Sequence, residues 1–257
     1  MIFRTIEQVQ WARFHPWINT KNIFHLFTTR NGGVSKGNHA TLNLGKTNHD
    51  SDANVENNRR RLCSAAQIPE DRIVLARQVH SANVSIVEAP GVVQDCDGLL
   101  TSTPDLYLVI GVADCHVVFL SSQDRAVVGV LHAGWRGTAK NIIKEALTKA
   151  AAQTGNQPNN FEIAIGPGIQ QCCYEVGEEV AGQFSPAVVA HRKDSSYLSL
   201  SEMLVQQAKD LGIPSDQIFR SRHCTSCEQK YWYSYRRDNG VTGRMWGIIA
   251  RTGEQAE

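Results

Sequence analysis

The sequence predicts an α+β fold, a single domain with a mixed, largely antiparallel sheet flanked by helices. Three observations carry this. Short apolar runs rich in β-branched residues recur along the chain, bounded by turn residues. Three other segments place apolar residues at helical spacing. The strand-like runs cluster instead of alternating regularly with helices, which disfavours a purely parallel sheet. No Pro/Gly/Ser-rich linker, repeat or low-complexity tract divides the 257 residues, so 1–257 reads as one domain.

In chain order, strands are predicted at 73–76, 84–87, 106–112, 117–120, 126–131 and 161–165. The first helix, 54–66, is polar with an apolar stripe. The second, 138–154, carries Ile142, Ile143, Ala146, Leu147, Ala150 and Ala151 on one face and stops at Gly155. The third, 201–211, begins at a serine and ends before Gly212.

Composition narrows the function classes. A formal net charge of +1 gives no strong attraction to nucleic acid or anionic membrane. No apolar run reaches the roughly 18–20 residues of a membrane helix. The N-terminal MIFRTIEQVQW lacks the basic and apolar regions of a secretory signal. Seven cysteines, an odd number in a chain of this size, favour reduced thiols and a cytoplasmic location over a disulfide framework.

The most informative stretch is ADCHVVFLSSQDRAVVGVLHAGWRG, residues 113–137. Two apolar runs separated by SSQDR predict a hairpin. With the turn centred between Gln123 and Asp124, Phe119 faces Val128, Val117 faces Val130 and Cys115 faces His132. Directly opposed residues have Cβ atoms about 4.5–5.5 Å apart, so the thiol and imidazole can share a metal ion. A one-residue slip would put them on opposite faces. A catalytic zinc site needs a third ligand. The candidates are His80, Asp114 and His116. His80 is favoured, because it lies in a break between two predicted strands, whereas His116 alternates away from Cys115.

GWRGT, following His132, places two glycines and Arg136 before the predicted helix start at Thr138, an arrangement suited to an anion. Arg30 lies in the glycine-bearing loop TTRNGG, and Arg236 and Arg237 follow the aromatic run YWYSY. Guanidinium groups suit phosphate. The aromatics at 231–235 alternate either as purine-stacking faces or as a half-buried strand. Cys224 and Cys227 form a CxxC without a second such pair, for which a structural or substrate-adjacent role is expected. Of the adjacent Cys172 and Cys173, one is expected in the core.

ADC, HAGWRG and IGPGIQQCCYEVG resemble the YfiH-like family, long labelled multicopper polyphenol oxidoreductase or laccase-domain proteins. FTTRNGGVS, LNLG, RQVH, CTSC, YSYRRD and TGR extend the resemblance over nearly the whole chain in the family's order. Departures are His116, where the family commonly has proline, and Ser199, where it commonly has aspartate. The resemblance implies a toxin catalytic domain-like α/β architecture and metal ligands at His80, Cys115 and His132. It implies zinc-dependent phosphorolysis of adenosine, inosine, guanosine and methylthioadenosine, making purine nucleoside and phosphate the partners of a monomer or small homo-oligomer. Deamination of adenosine and editing of cell-wall precursors by a hydrolase are also associated with members. It adds Asn43 as a polar site residue.

A copper-dependent polyphenol oxidoreductase is the alternative. The nine histidines include no H-x-H pair of the kind expected for a copper cluster, although a single Cys/His₂ site also takes copper. A deaminase of the H-x-E…P-C-x-x-C type is not supported, because no H-x-E occurs.

Overall fold

Two β-sheets pack face to face, and helices cover their outer faces. The structure, a computed structural model, describes residues 1–253. The first sheet has seven strands, in the spatial order Ile2–Ile6, Val9–Arg13, Ile23–Thr28, Met245–Arg251, Tyr107–Val112, Ile73–Ala76 and Gly91–Val93. It is antiparallel except at Ile73–Ala76, which runs parallel to both neighbours. The second has six: Ile218–Arg220, Phe161–Ile165, His116–Ser122, Val128–Ala133, Gly98–Thr101 and Val84–Ile86. Its two outer pairs are parallel and its centre is antiparallel. A three-stranded sheet, Glu175–Val176, Ser195–Leu198 and Val189–Arg192, lies apart.

Between the large sheets, Phe27, Ile110 and Ile249 of the first meet Val117, Phe119 and Val130 of the second. Both faces of these strands are buried, which is why they read as continuous apolar runs. Helix α1 (Asp52–Ala66) covers the outer face of the first sheet through Leu62, Cys63 and Ala65. Helices α2 (Trp135–Ala139) and α3 (Ile142–Thr154) follow strand Val128–Ala133. α4 (Glu178–Ala181) packs on the small sheet, and α5 (Leu200–Asp210) joins α3 over the second sheet. The result is the α+β class, with two main sheets.

Three expectations are corrected. The helix expected at 138–154 is two helices. Asn141 takes a left-handed φ of 54° and accepts from Lys144 N through its side chain, so it starts α3 anew. The first helix begins after Gly134 and already contains Arg136 and Thr138, so Thr138 is not a helix start. The aromatic run 231–235 is not a strand. Trp232 and Tyr233 are buried in irregular backbone, and Tyr235 is exposed.

The third correction is the hairpin register. Val130 faces Phe119 and His132 faces Val117, two residues away from the expected pairing. Ser121 and Ser122 continue the strand although polar. They are fully buried, and Ser122 Oγ and N both bond Val127 O. The turn therefore centres one residue later. A slip of two preserves the faces, so Cys115 remains on the His132 side, as a diagonal neighbour instead of a direct one.

Candidate active site

Three loops converge at one end of the second sheet. The Arg77–Asn83 segment carries His80 with a left-handed φ of 59°. Asp114, at φ 84°, turns the chain from the first sheet to the second and delivers Cys115. His132 stands near the end of strand Val128–Ala133. The Nδ1/Nε2 and Sγ atoms that His80, Cys115 and His132 can offer lie within 4.8 Å of one another. Gly134 makes the approach possible. A Cβ there would sit 3.0 Å from Cys115 Sγ, 3.7 Å from His80 Cδ2 and 3.8 Å from His132 Nε2. His132 is buried, Cys115 half-buried and His80 exposed, so the group opens to solvent on the His80 side.

Asp97, which the sequence did not reveal, organises this group. It is fully buried between Cys96 and the strand start at Gly98. Its Oδ1 accepts from His132 Nδ1 at 2.8 Å and from His80 N at 3.0 Å. Its Oδ2 accepts from Ser81 N, Ser81 Oγ and Val79 N at 2.7, 2.8 and 3.2 Å. One carboxylate thus orients the His132 ring and closes the His80 loop. Burial alone would raise the Asp97 pKa, but the bonds from His132 and Ser81 hold it at about 2.

The electrostatics follow. Burial opposes ionisation of the Cys115 thiol, but the His132 charge and hydrogen bonds from His132 and His80 outweigh it and pull the thiol below its ordinary range. Burial likewise opposes the His132 cation. The Cys115 thiolate and Asp97 outweigh it, and the imidazole is pushed up. These shifts favour the Cys115 thiolate, the form that binds a soft cation, whereas His132 can ligate one only as the neutral imidazole, with Nδ1–H on Asp97 and the Nε2 proton released.

Charged and aromatic groups surround it. Arg244, half-buried, feels the Cys115 and Asp114 charges, while burial lowers its pKa. The Tyr174 hydroxyl is raised to about 12 by burial and by the Cys115 charge, with Arg236 and Arg136 acting in the opposite sense. Asp114 accepts from Thr225 Oγ1 at 2.6 Å and from Arg236 N at 2.7 Å, which draws the C-terminal loop over the site. Arg244 and Tyr174 were present in the motifs TGR and CCYEVG, but nothing in their spacing marked them.

The other candidate residues have varied placements. Arg136 is exposed and lies over the Trp135 ring at 4.3 Å. Arg236 donates to Glu175 O at 2.7 Å and covers Tyr174 at 5.3 Å. Arg30 is occupied by Ala40 O at 2.8 Å, Gln229 O at 3.3 Å and the Tyr233 face at 4.7 Å. Asn43 is buried. It accepts from Arg244 N at 2.9 Å and donates to Asp50 at 2.9 Å, so it places the Arg244 backbone. His116 is buried and bonds Gly166 O through Nδ1 at 2.9 Å, away from the His80 group.

The family model described as multi-copper polyphenol oxidoreductase laccase matches residues 24–252. The purine nucleoside phosphorylase YlmD of Geobacillus stearothermophilus is 35% identical over 249 residues, covering 88% of this chain and 89% of the relative. A purine nucleoside phosphorylase of Deinococcus radiodurans is 38% identical over 240 residues, covering 91% and 92%. A crystal structure of YlmD from Geobacillus stearothermophilus superposes with a TM-score of 0.91 at 33% identity, covering 98% of this chain and 99% of that one. Match, coverage and superposition agree over nearly the whole length, and the chain belongs to the multi-copper polyphenol oxidoreductase laccase family.

Proposed function

We propose that this chain is a purine nucleoside phosphorylase that splits adenosine, inosine, guanosine and methylthioadenosine with phosphate, using a zinc ion held by His80, Cys115 and His132. The observation that carries the reading is the convergence of those three side chains on the space beside Gly134. It is supported by full-length relatives named for that activity.

The donor set fits zinc. One thiolate and two imidazoles are ordinary zinc ligands, and catalytic sites use three protein donors. A carboxylate bonded to the far nitrogen of a ligating histidine is the usual support, and Asp97 occupies that position. Copper tolerates the same donors. Among the described residues, however, the other group able to hold a metal contains no histidine, which does not favour a multicopper oxidase.

When bound, zinc supplies a fixed positive charge that stabilises negative charge developing in the reaction. The chain's own residues do the rest. Asp97 holds the proton on His132 Nδ1 and directs Nε2 toward Cys115. Arg136 and Arg236 lie beside Tyr174, and Arg244 lies near Cys115 and Asp114, so cationic groups suited to a phosphate dianion border the site. Thr225 and Asp114 anchor the loop that bounds the site.

The test is product analysis. Metal-replete protein given inosine or adenosine should release free base and ribose 1-phosphate only when phosphate is present. Base release with free ribose in phosphate-free buffer points to a hydrolase, and no release removes the enzymatic reading. Inosine formed from adenosine in the same assay reports deamination.

A further inference from the structure

A second cluster of chemistry lies outside this site. The turn at Gln171–Cys173 and the loop at Cys224–Cys227 bring Cys172, Cys173, Cys224 and Cys227 together, with all four sulfurs within 4.8 Å of one another. Cys227 Sγ lies 3.6 Å from Cys172 Sγ and 3.3 Å from Cys173 Sγ. Neither of the adjacent cysteines is a core residue. On a strand they would diverge, but in the turn both side chains face Cys227.

We propose that these four cysteines bind one zinc ion as a tetrathiolate site, separate from the His80 group, that fastens the CTSC loop to the turn before Tyr174. Zinc–sulfur bonds of about 2.3 Å place tetrahedral sulfurs roughly 3.8 Å apart, so the observed spacings need only small adjustment. A disulfide would use two sulfurs and leave two in van der Waals contact without a role, whereas a tetrahedral ion uses all four.

The main chain already builds the site. Thr225 N donates to Gly168 O at 3.1 Å, and Gly168 and Cys224 form an isolated parallel bridge. Cys173 N and Tyr174 N both donate to Gln170 O at 2.9 Å. Gln170 N points at Cys224 Sγ at 3.5 Å, a direction that favours a thiolate acceptor. Two carboxylates bond the CTSC arm: Asp114 accepts from Thr225 Oγ1 at 2.6 Å, and Glu228 accepts from Cys224 N at 3.1 Å and His223 Nδ1 at 2.7 Å, so both are engaged by other donors.

The site would stiffen the catalytic end without entering it. Thr225 inside the CTSC loop bonds Asp114, the residue before Cys115, and Tyr174 directly follows Cys173. Zinc would thus join two segments about fifty residues apart in sequence, a link whose loop-closure stabilisation does not depend on a large core.

The test uses full-length Cys115→Ala protein, purified under reducing conditions, so that the thiolate of the first group is gone. It should retain one tightly bound zinc per chain. Exchange with cobalt should give an intense sulfur-to-cobalt charge-transfer band with strong tetrahedral visible absorption. Adding Cys227→Ser, or separately the exposed Cys172→Ser, should remove that equivalent and weaken the band. Cys115→Ala protein without tight metal, cobalt loading without a thiolate band, or an intact mass lower by two hydrogens from a Cys227 disulfide would each overturn the proposal. Since the cobalt spectrum is read without altering the four cysteines, failure of a serine variant to fold leaves the proposal testable.

Discussion

His132 donates from Nδ1 to Asp97 Oδ1 at 2.8 Å, with both side chains buried. The same carboxylate accepts three main-chain N–H groups from Val79, His80 and Ser81. Asp97→Asn keeps the shape but must turn an NH₂ group toward at least one of these donors. We expect tenfold to hundredfold weaker zinc binding at the His80 group, the range typical for loss of a ligand's carboxylate support. Stability should fall by about 3 kcal/mol from the mispaired buried donors. Chelator competition and urea melts measure the two effects, and unchanged zinc affinity would remove Asp97 from the site.

His116 and His80 offer a contrast. His116 packs beneath Gly168, where a Cβ would lie 2.5 Å from its ring. His116→Ala should retain zinc while losing about 2 kcal/mol of stability through the cavity and the lost Gly166 bond. His80→Ala, at an exposed position, should cost little stability and lose the zinc equivalent held with Cys115 and His132, while the equivalent assigned to the four cysteines stays. Metal analysis showing the reverse pattern would mean that the other imidazole is the ligand.

What was legible in the sequence follows physical lines. Strands Ile73–Ala76 and Phe161–Ile165 appear where expected, since β-branched runs bounded by turn residues carry their own signal. The hairpin register slipped because Ser121 and Ser122 are polar yet buried, and their hydroxyls find partners only in the folded chain. The α2–α3 break depends on Asn141 adopting a left-handed conformation, which the apolar spacing does not reveal. His80, Cys115 and His132 come together as spacing and family resemblance anticipated. Asp97, Arg244 and Tyr174 reach the same place from distant segments, and a local pattern does not encode such convergence. The CxxC lacked a visible partner for the same reason, because Cys172 and Cys173 meet it only through tertiary structure.

The arginines should separate by kinetics. Arg136 is exposed at the rim and free to meet a dianion, whereas Arg244 is half-buried and bonds Thr242 O and Gly243 O at 2.9 and 3.1 Å. Arg136→Ala should raise KM for phosphate about tenfold, the loss of one charge-assisted contact, with the nucleoside KM within about twofold. Arg244→Ala should lower kcat as well, because its charge acts on Cys115 and Asp114. Equal loss of phosphate and nucleoside binding in Arg136→Ala would place it outside the phosphate subsite.

His25 predicts how stability depends on pH. Its ring is fully buried on strand Ile23–Thr28, edge-on to Trp17 at 5.4 Å. Nε2 accepts Phe14 N at 2.9 Å, so the proton resides on Nδ1, which has no partner. Burial, reinforced by the Arg13 charge, pushes the pKa from 6.5 down to about 3. Protonation would set an N–H against the Phe14 N–H and charge a dry pocket. The folded pKa is thus below the unfolded one, so between pH 6.5 and 3 the unfolded chain binds the extra proton. Its contribution is complete above pH 6.5 and falls by about 1.4 kcal/mol per unit as pH drops toward 3. His25→Gln removes the titration while its amide oxygen can still accept from Phe14 N. The wild-type protein should be more stable near pH 7.5, and its lead should shrink by on the order of 3 kcal/mol by pH 4.5. Urea melts of both proteins across that range decide it: parallel pH profiles would show that His25 does not titrate between the two states.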